Sequence, residues 1–257
     1  MLTSYETHYK GGVYQLNEDR KVISPELAKA LRVVAQVQES TLGYFNPFLL
    51  DLNLESKESL SKGAPLPSQR AAELAEIARN TSLSIKGDEI SIAGDGNIDL
   101  GAIGKGYCLD LVLDYLKEHK ITNYFISGGT SSLLLGETGD QQTPMFTISP
   151  RDLPSFSFKA ADSGVSTSSI SEQGYEIDGK KYSHIVNPFD GSSLAHYDFL
   201  IVSKGIAEPN INAFLDAAST AMFNMDKDQI KQFAENVGLR YAVGLDQKII
   251  QTNMETQ

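Results

Sequence analysis

In the stretch DLGAIGKGYCLD, residues 99–110, three glycines and Lys105 stand between an apolar run and a helix-like pattern. Such a place can hold an anion, because glycine lets backbone come close to a ligand and a helix start presents N–H groups to negative charge. The spacing fits neither common phosphate loop. A Walker loop needs Ser or Thr after Gly-Lys, whereas Gly106 follows Lys105, and the first gap of GAIGKG is one residue too long for the dinucleotide fingerprint. A tight strand-to-helix turn is the plain alternative. Asp216 and Thr220, in NINAFLDAASTAMF, are spaced i, i+4 and stack on one helical face. Two hard oxygen donors on adjacent turns suit Mg²⁺ or Ca²⁺. The alternative is a solvated face, exposed and away from the apolar side of Ile211, Phe214, Leu215, Ala218 and Met222. His184, in YSHIVNP, ends a strand before a proline turn, where an imidazole serves either as a general base near neutral pH or as a hydrogen-bonded structural residue. His8, His119 and His196 have no such partner spacing; His119 extends the apolar face of its helix and is expected in the core or at its boundary.

The elements that must position these residues follow from capping and periodicity. Ser24 and Pro25 open a helix through SPELAKALRVVAQVQES, and Ser68 is expected to cap a second through PLPSQRAAELAEIARN. The polar, proline-bearing ESKESLSKGAPLP between them reads as a loop. TSLSIKGDEISIAG reads as two strands about Gly87-Asp88. From Lys105 onward, Cys108, Leu111, Val112, Tyr115 and Leu116 follow helical spacing, so the glycines stand at a helix N-terminus and this face is expected to be apolar and buried. NYFISGGTSSLLLG reads as strand, glycine turn, strand; MFTIS and SFSFKA as partners; YEIDGKKYSHIV as a hairpin about Asp178-Gly179. KDQIKQFAENVG is a last helix before the hairpin RYAVGLDQKIIQT. Helices in separate blocks argue for an α+β fold with mixed, largely antiparallel sheets, and no compositional break divides residues 1–257 into two domains.

Charge and cysteine usage narrow the chemistry. With 22 Lys and Arg against 33 Asp and Glu, the formal charge is −11, which excludes a broad electrostatic grip on nucleic acid. An anionic ligand here needs local basic groups, N–H donors or a metal. The single Cys108 excludes an internal disulfide and a cysteine-built zinc site. No run approaches the roughly 20 apolar residues of a membrane span, and MLTSYETHYKGG does not read as a signal peptide.

The order DLGAIGKGYCLD, ISGGTSSLLLG, GVSTSS, YEIDGKKYSHIVNPFDG, DAASTAMF resembles the ApbE family of FAD:protein FMN transferases, and SPELAKALRVVAQVQESTLGYFNP resembles that family's N-terminal helix and Phe-Asp-Pro turn. The resemblance runs through nearly the whole chain from about Leu2. It implies an ApbE-like, T-fold-related domain that splits the pyrophosphate of FAD, attaches FMN through a phosphoester to Ser or Thr of a target protein, and releases AMP. It further implies Mg²⁺, with Ca²⁺ or Mn²⁺ as alternatives, held by Asp216, Thr220 and a backbone carbonyl near Gly104. His184 matches the histidine that activates the acceptor hydroxyl and touches the flavin nucleotide, so His184 and Asp216 become the catalytic pair. FAD would be lined by Asp99, Gly101, Gly104, Lys105, Gly128, Gly129, Thr167 and Ser168. The acceptor would offer a short Asp-x-x-(Ser/Thr)-Gly-Ala-(Ser/Thr) motif.

The sequence also departs from the family pattern. The usual leader, and a first strand with a Met-Gly-Thr-like turn, are not found upstream of Leu2. A short family member of this kind is expected in the cytoplasm as written, or membrane-anchored and extracytoplasmic if an N-terminal anchor was removed. The Arg-x-Asp-Ser-type segment is HYKGGVYQLN, the turn aspartate is Asn46, and Ser127 and Thr130 flank the double glycine where Asn and Asp are usual. These changes touch the FAD wall more than the metal site. They leave FAD pyrophosphatase activity, with water as acceptor, and a catalytically inactive flavin-binding relative as alternatives.

Overall fold

The computed structural model describes residues 11–140, 145–171 and 173–255. His8, and the start of the family resemblance at Leu2, lie outside the described residues. The first half of the chain runs α1 (Gly12–Asp19), β1 (Lys21–Ile23), α2 (Pro25–Ser40), α3 (Leu50–Ser61), α4 (Ser68–Arg79), β2 (Ser82–Lys86), β3 (Glu89–Ala93) and α5 (Gly104–Glu118). Strands β4 (Phe125–Ser127), β5 (Ser132–Leu135), β6 (Phe146–Ile148), β7 (Phe158–Ala160), β8 (Ser163–Ser169), β9 (Gly174–Ile177), β10 (Lys180–Ser183) and β11 (Phe199–Gly205) follow. The chain closes with α6 (Ile211–Phe223), α7 (Lys227–Val237), β12 (Arg240–Leu245) and β13 (Lys248–Thr252). This is the α+β class expected, and every pair of named strands is antiparallel. Among the described residues, parallel pairing is confined to isolated bridges such as Leu49↔Asn97. No helix among the described residues is long and apolar enough to cross a membrane.

Contacts group the chain into two compact units, one of residues 1–104 and 174–194, the other of 105–173 and 195–257. In the first, β1-β3-β2 form a small sheet. Ser24 caps α2 as expected, accepting from the Leu27 N–H at 3.3 Å, and Pro25 stands at the first helical position. Helix α4 begins at Ser68 itself, with Pro67 in the cap position and no side-chain cap, one residue earlier than the expected Ser68 cap. The segment expected to be a loop, ESKESLS, is instead the C-terminal half of α3. Its polarity hid a narrow buried stripe of Leu52, Ser56 and Leu60 at helical spacing. From Gly12 onward, HYKGGVYQLN opens α1, which clamps the segment leading into the glycine loop. Asn17 exchanges two hydrogen bonds with the Ile98 backbone, at 3.0 and 2.8 Å, and Arg20 donates to Asn97 Oδ1 at 2.9 Å and to the Gly96 carbonyl at 2.9 Å.

The second unit is built on the six-stranded sheet β13-β12-β11-β8-β5-β4. One face carries Leu135, Val165, Phe199, Ile201 and Ala242, and packs with Phe156 and Phe158 from the β6–β7 region. The other face meets α5 through Leu134 against Leu109, Leu113 and Leu116. The buried face of α5 is therefore Gly106, Tyr107, Leu109, Asp110, Leu113 and Leu116, not the expected Cys108, Leu111, Val112 and Tyr115. Leu111 and Tyr115 are 42% and 57% exposed, and Cys108 is exposed. His119 is exposed too, stacked on Tyr115 at 4.0 Å, so the expectation that it is core or boundary fails with that face. A glycine and an aspartate stand in the true stripe, where periodicity of apolar residues does not count them.

Candidate active site

The chemistry-bearing residues of the second unit gather where α5 and α6 cross on the sheet. Alternation along the strands aims Ser132 of β5 and Ser166 and Ser168 of β8 at α6. Both Ser132 and Ser166 donate to Asp216 Oδ1, at 2.6 and 2.8 Å. Asp216 Oδ2 accepts from the Gly106 N–H at 2.6 Å. The expectation of an exposed aspartate on a solvated face is thus corrected: Asp216 is 5% exposed, and α6 is buried nearly all round. A charge so placed is tolerated because three donors meet the carboxylate. Ser219 extends the hydroxyl network, 2.9 Å from Ser168 and donating to the Asp216 carbonyl at 2.9 Å. Thr220 lies one turn beyond Asp216, donates to the Asp216 carbonyl at 3.2 Å, and is 3.5 Å from Ser168. The same alternation turns Thr167 to the opposite face of β8, so of the GVSTSS pair only Ser168 joins Asp216 and Thr220.

The glycine loop is occupied differently from the anion cradle read in the sequence. The Gly101 N–H goes to Asp99 Oδ1 at 2.8 Å, that of Gly104 to the Leu100 carbonyl at 2.8 Å, and that of Gly106 to Asp216. All three glycine N–H groups are taken up by the protein itself, which leaves Lys105, exposed at the start of α5, as the loop's side-chain cation. Gly106 is required by contact. A Cβ there would lie 2.0 Å from the Asn212 carbonyl oxygen and 2.4 Å from its carbon, so only hydrogen lets α5 approach α6 this closely. Gly106→Ala must spread the two helices, and a loss of roughly 1–3 kcal/mol or more is expected in chemical denaturation. A midpoint equal to wild type would mean the crossing yields without strain.

The glycine turn between β4 and β5 belongs to the same neighbourhood. Gly129 has φ +86°, which favours glycine, and a Cβ there would stand 3.9 Å from Lys105 Cδ. Gly128 closes the turn with its N–H on the Ser132 carbonyl at 2.8 Å. Ser127, where the family has Asn, donates its hydroxyl to the Gly129 carbonyl.

Two charged residues that the sequence reading left without a role shape these sites. Asp110 is buried on α5 and accepts from Asn212 N, Asn212 Nδ2 and Ala213 N at 2.8–3.0 Å. Burial pushes its pKa above the ordinary carboxylate range, and these hydrogen bonds pull it back in part. In the first unit, Arg79 of α4 donates to the carbonyls of Pro188, at 3.0 Å, and Phe189. It thereby pins the loop that follows His184. Asx turns at Asn187 and Asp190 stiffen that loop further, and Tyr44 meets Phe189 edge-on at 4.8 Å. His184 itself is half-buried just after β10.

Asp99, in the first unit, is held on both oxygens, by Gly101 N and by Asn53 Nδ2 at 2.8 Å. Asn46 accepts from the Phe48 N–H at 2.9 Å, an Asx turn that aspartate would make equally well, so this departure from the family pattern leaves the turn intact. Asn53, Asp110, Ser132 and Ser166 were missed because each acts through a partner distant in sequence. The one local signal was Asp110, one turn after Gly106 in the same motif.

The site's oxygens suit a hard cation. Among the described residues Asp216 Oδ2 accepts one hydrogen bond, which leaves a lone pair, and Thr220 adds a neutral hydroxyl on the same helix. Among the described residues no three His, Cys, Asp or Glu side chains come close enough to hold a metal. A cation here would rest on one carboxylate and one hydroxyl, with oxygens from outside the protein completing a shell of the kind Mg²⁺ accepts.

The ApbE family model matches residues 4–243. Among curated relatives, the chain is 27% identical over 146 residues to the FAD:protein FMN transferase of Klebsiella pneumoniae (strain 342), a match covering 55% of this chain and 41% of that protein. The aligned stretch is thus less than half the length of that relative. Among solved structures, the apo form of Pseudomonas stutzeri flavinyl transferase ApbE superposes with a TM-score of 0.75 at 23% identity, covering 96% of this chain and 80% of that one. The ApbE protein of Thermotoga maritima gives a TM-score of 0.78 at 18% identity, covering 100% and 83%. At such identities the structural likeness is one of fold.

Proposed function

Because the chain belongs to the ApbE family, we propose that it is a Mg²⁺-dependent FAD:protein FMN transferase. The observation that carries this reading is the buried Asp216 carboxylate, fixed by Gly106, Ser132 and Ser166 with Thr220 one turn away, in a chain whose net charge of −11 otherwise repels phosphates. Bound Mg²⁺ would supply Lewis-acid charge to the pyrophosphate oxygens. Asp216 and Thr220 would hold it; a backbone carbonyl near Gly104 as a third donor rests on the resemblance alone. Lys105 adds positive charge for the phosphates. Ser168, Gly128 and Gly129 of the second unit are assigned to FAD; the roles of Asp99, Gly101, His184 and Thr167, the last on the far face of β8, rest on the resemblance alone.

His184 takes the proton of the acceptor Ser or Thr hydroxyl, a role that requires the imidazole in its neutral form. The acceptor oxygen bonds to the flavin-side phosphorus, and the bond from that phosphorus to the bridging oxygen breaks. AMP leaves with the bridging oxygen, and FMN remains on the acceptor as a phosphoester.

Incubating the protein with FAD, Mg²⁺ and an acceptor carrying the Ser/Thr motif tests the reading. Flavin fluorescence that stays on the denatured acceptor, with AMP released in equal amount, is expected. Free FMN and AMP with an unlabelled acceptor would make the protein a pyrophosphatase, and unchanged FAD an inactive relative. Lys105→Met should weaken FAD binding only a few-fold in fluorescence titration, because a single point charge is removed; complete loss would make Lys105 the principal anchor.

A further inference from the structure

Helices α5 and α6 cap each other. In α5, the donor Gly106 precedes the carboxylate Asp110 by one turn; in α6, the donors Asn212 and Ala213 precede Asp216 by one turn. The connections cross: Gly106 N donates to Asp216 at 2.6 Å, while Asn212 N and Ala213 N donate to Asp110 at 3.0 and 2.8 Å. Two helical turns and two carboxylates thus form a closed ring around the contact of Gly106 with Asn212. The start of α6 depends on this ring, since its own cap residue, Asn210 with φ 57°, makes no side-chain cap hydrogen bond. Asp110 takes the N–H groups that an N-cap side chain would otherwise accept. The serines of the sheet fix Asp216 Oδ1, whereas the turn of helix beneath Asp216 is fixed by Asp110.

We propose that Asp110 is a positioning residue for the cation site, setting the place of Asp216 and Thr220 by holding the first turn of α6. The inference rests on the reading of Asp216 as a cation ligand. It treats Asp110 as an outer partner that touches neither cation nor substrate. A residue of that kind governs affinity for the ion even when the fold survives its loss.

The test uses Mn²⁺ alone with the full chain, bound ion being read by electron paramagnetic resonance and folding by circular dichroism at the same temperature. Wild type is expected to bind and Asp216→Asn to lose the ion. Asp110→Asn should bind about 10-fold more weakly while still folded. Asn212→Ala, which removes only the side-chain donor to Asp110, should show a smaller loss in the same direction. If wild type failed to bind, or Asp216→Asn bound as wild type does, the reading of Asp216 would fall and the inference with it. With that reading intact, a folded Asp110→Asn with wild-type affinity would reduce Asp110 to a structural cap and overturn the proposal. Should Asp110→Asn not fold, unchanged affinity in Asn212→Ala overturns it equally.

Discussion

Asp216→Asn is expected to lower Mg²⁺-dependent FAD turnover by on the order of 10³-fold, the scale of losing a principal electrostatic contact in a transition state. The amide keeps the size of the carboxylate and can still accept from Ser132 and Ser166. Its NH₂, however, meets the Gly106 N–H where Oδ2 now accepts at 2.6 Å, so two donors face each other and the negative charge is gone. Asp216→Ala is the less informative change. It strands the Gly106 N–H and two serine hydroxyls in a buried place, at roughly 1–3 kcal/mol for each group left unsatisfied. Activity must therefore be measured well below each variant's melting temperature, over a range of Mg²⁺. Wild-type turnover in Asp216→Asn at saturating Mg²⁺ would remove this residue from the site.

His184→Ala should slow transfer by about 10²–10⁴-fold, the usual contribution of a general base, and lower FAD affinity far less, since His184 is one contact among several. The half-buried side chain follows β10, and its loop is held independently by Arg79 and by the turns at Asn187 and Asp190, so the fold should tolerate the truncation. Single-turnover rates and equilibrium FAD titration separate the two effects. A fall in affinity as large as the fall in rate would remove the general-base role and leave His184 a binding residue alone.

Local chemistry was legible in the sequence wherever it was self-contained. Asp178-Gly179 dictated its hairpin, with φ of 51° and 71° at the turn, and Ser24-Pro25 dictated the start of α2, because cap and turn preferences act within a few residues. The order of motifs carried the family. The buried side of α5 was not legible: Leu111, Val112 and Tyr115 have the apolar character and helical spacing of a core face, yet Gly106 and Asp110 hold the true one. Their burial is decided by Asn212 and Ala213, about a hundred residues away, through a carbonyl that tolerates no Cβ and a carboxylate that needs two N–H groups. Asp216 was recognisable as a ligand type, but its serine partners lie on strands where each hydroxyl reads as an ordinary polar residue. Helix α3 escaped notice because Leu49, at its cap position, offers no side-chain acceptor and its buried stripe is narrow.

The position of the cation decides most among these readings. Crystals grown with Mn²⁺ and FAD, measured at the manganese absorption edge, should give an anomalous peak bonded to Asp216 Oδ2 and Thr220 Oγ1, with the pyrophosphate of FAD on the same ion. A peak elsewhere in the molecule, with Asp216 still bound only to Gly106, Ser132 and Ser166, would contradict the assignment of this carboxylate to catalysis and return it to a structural role at the crossing of α5 and α6.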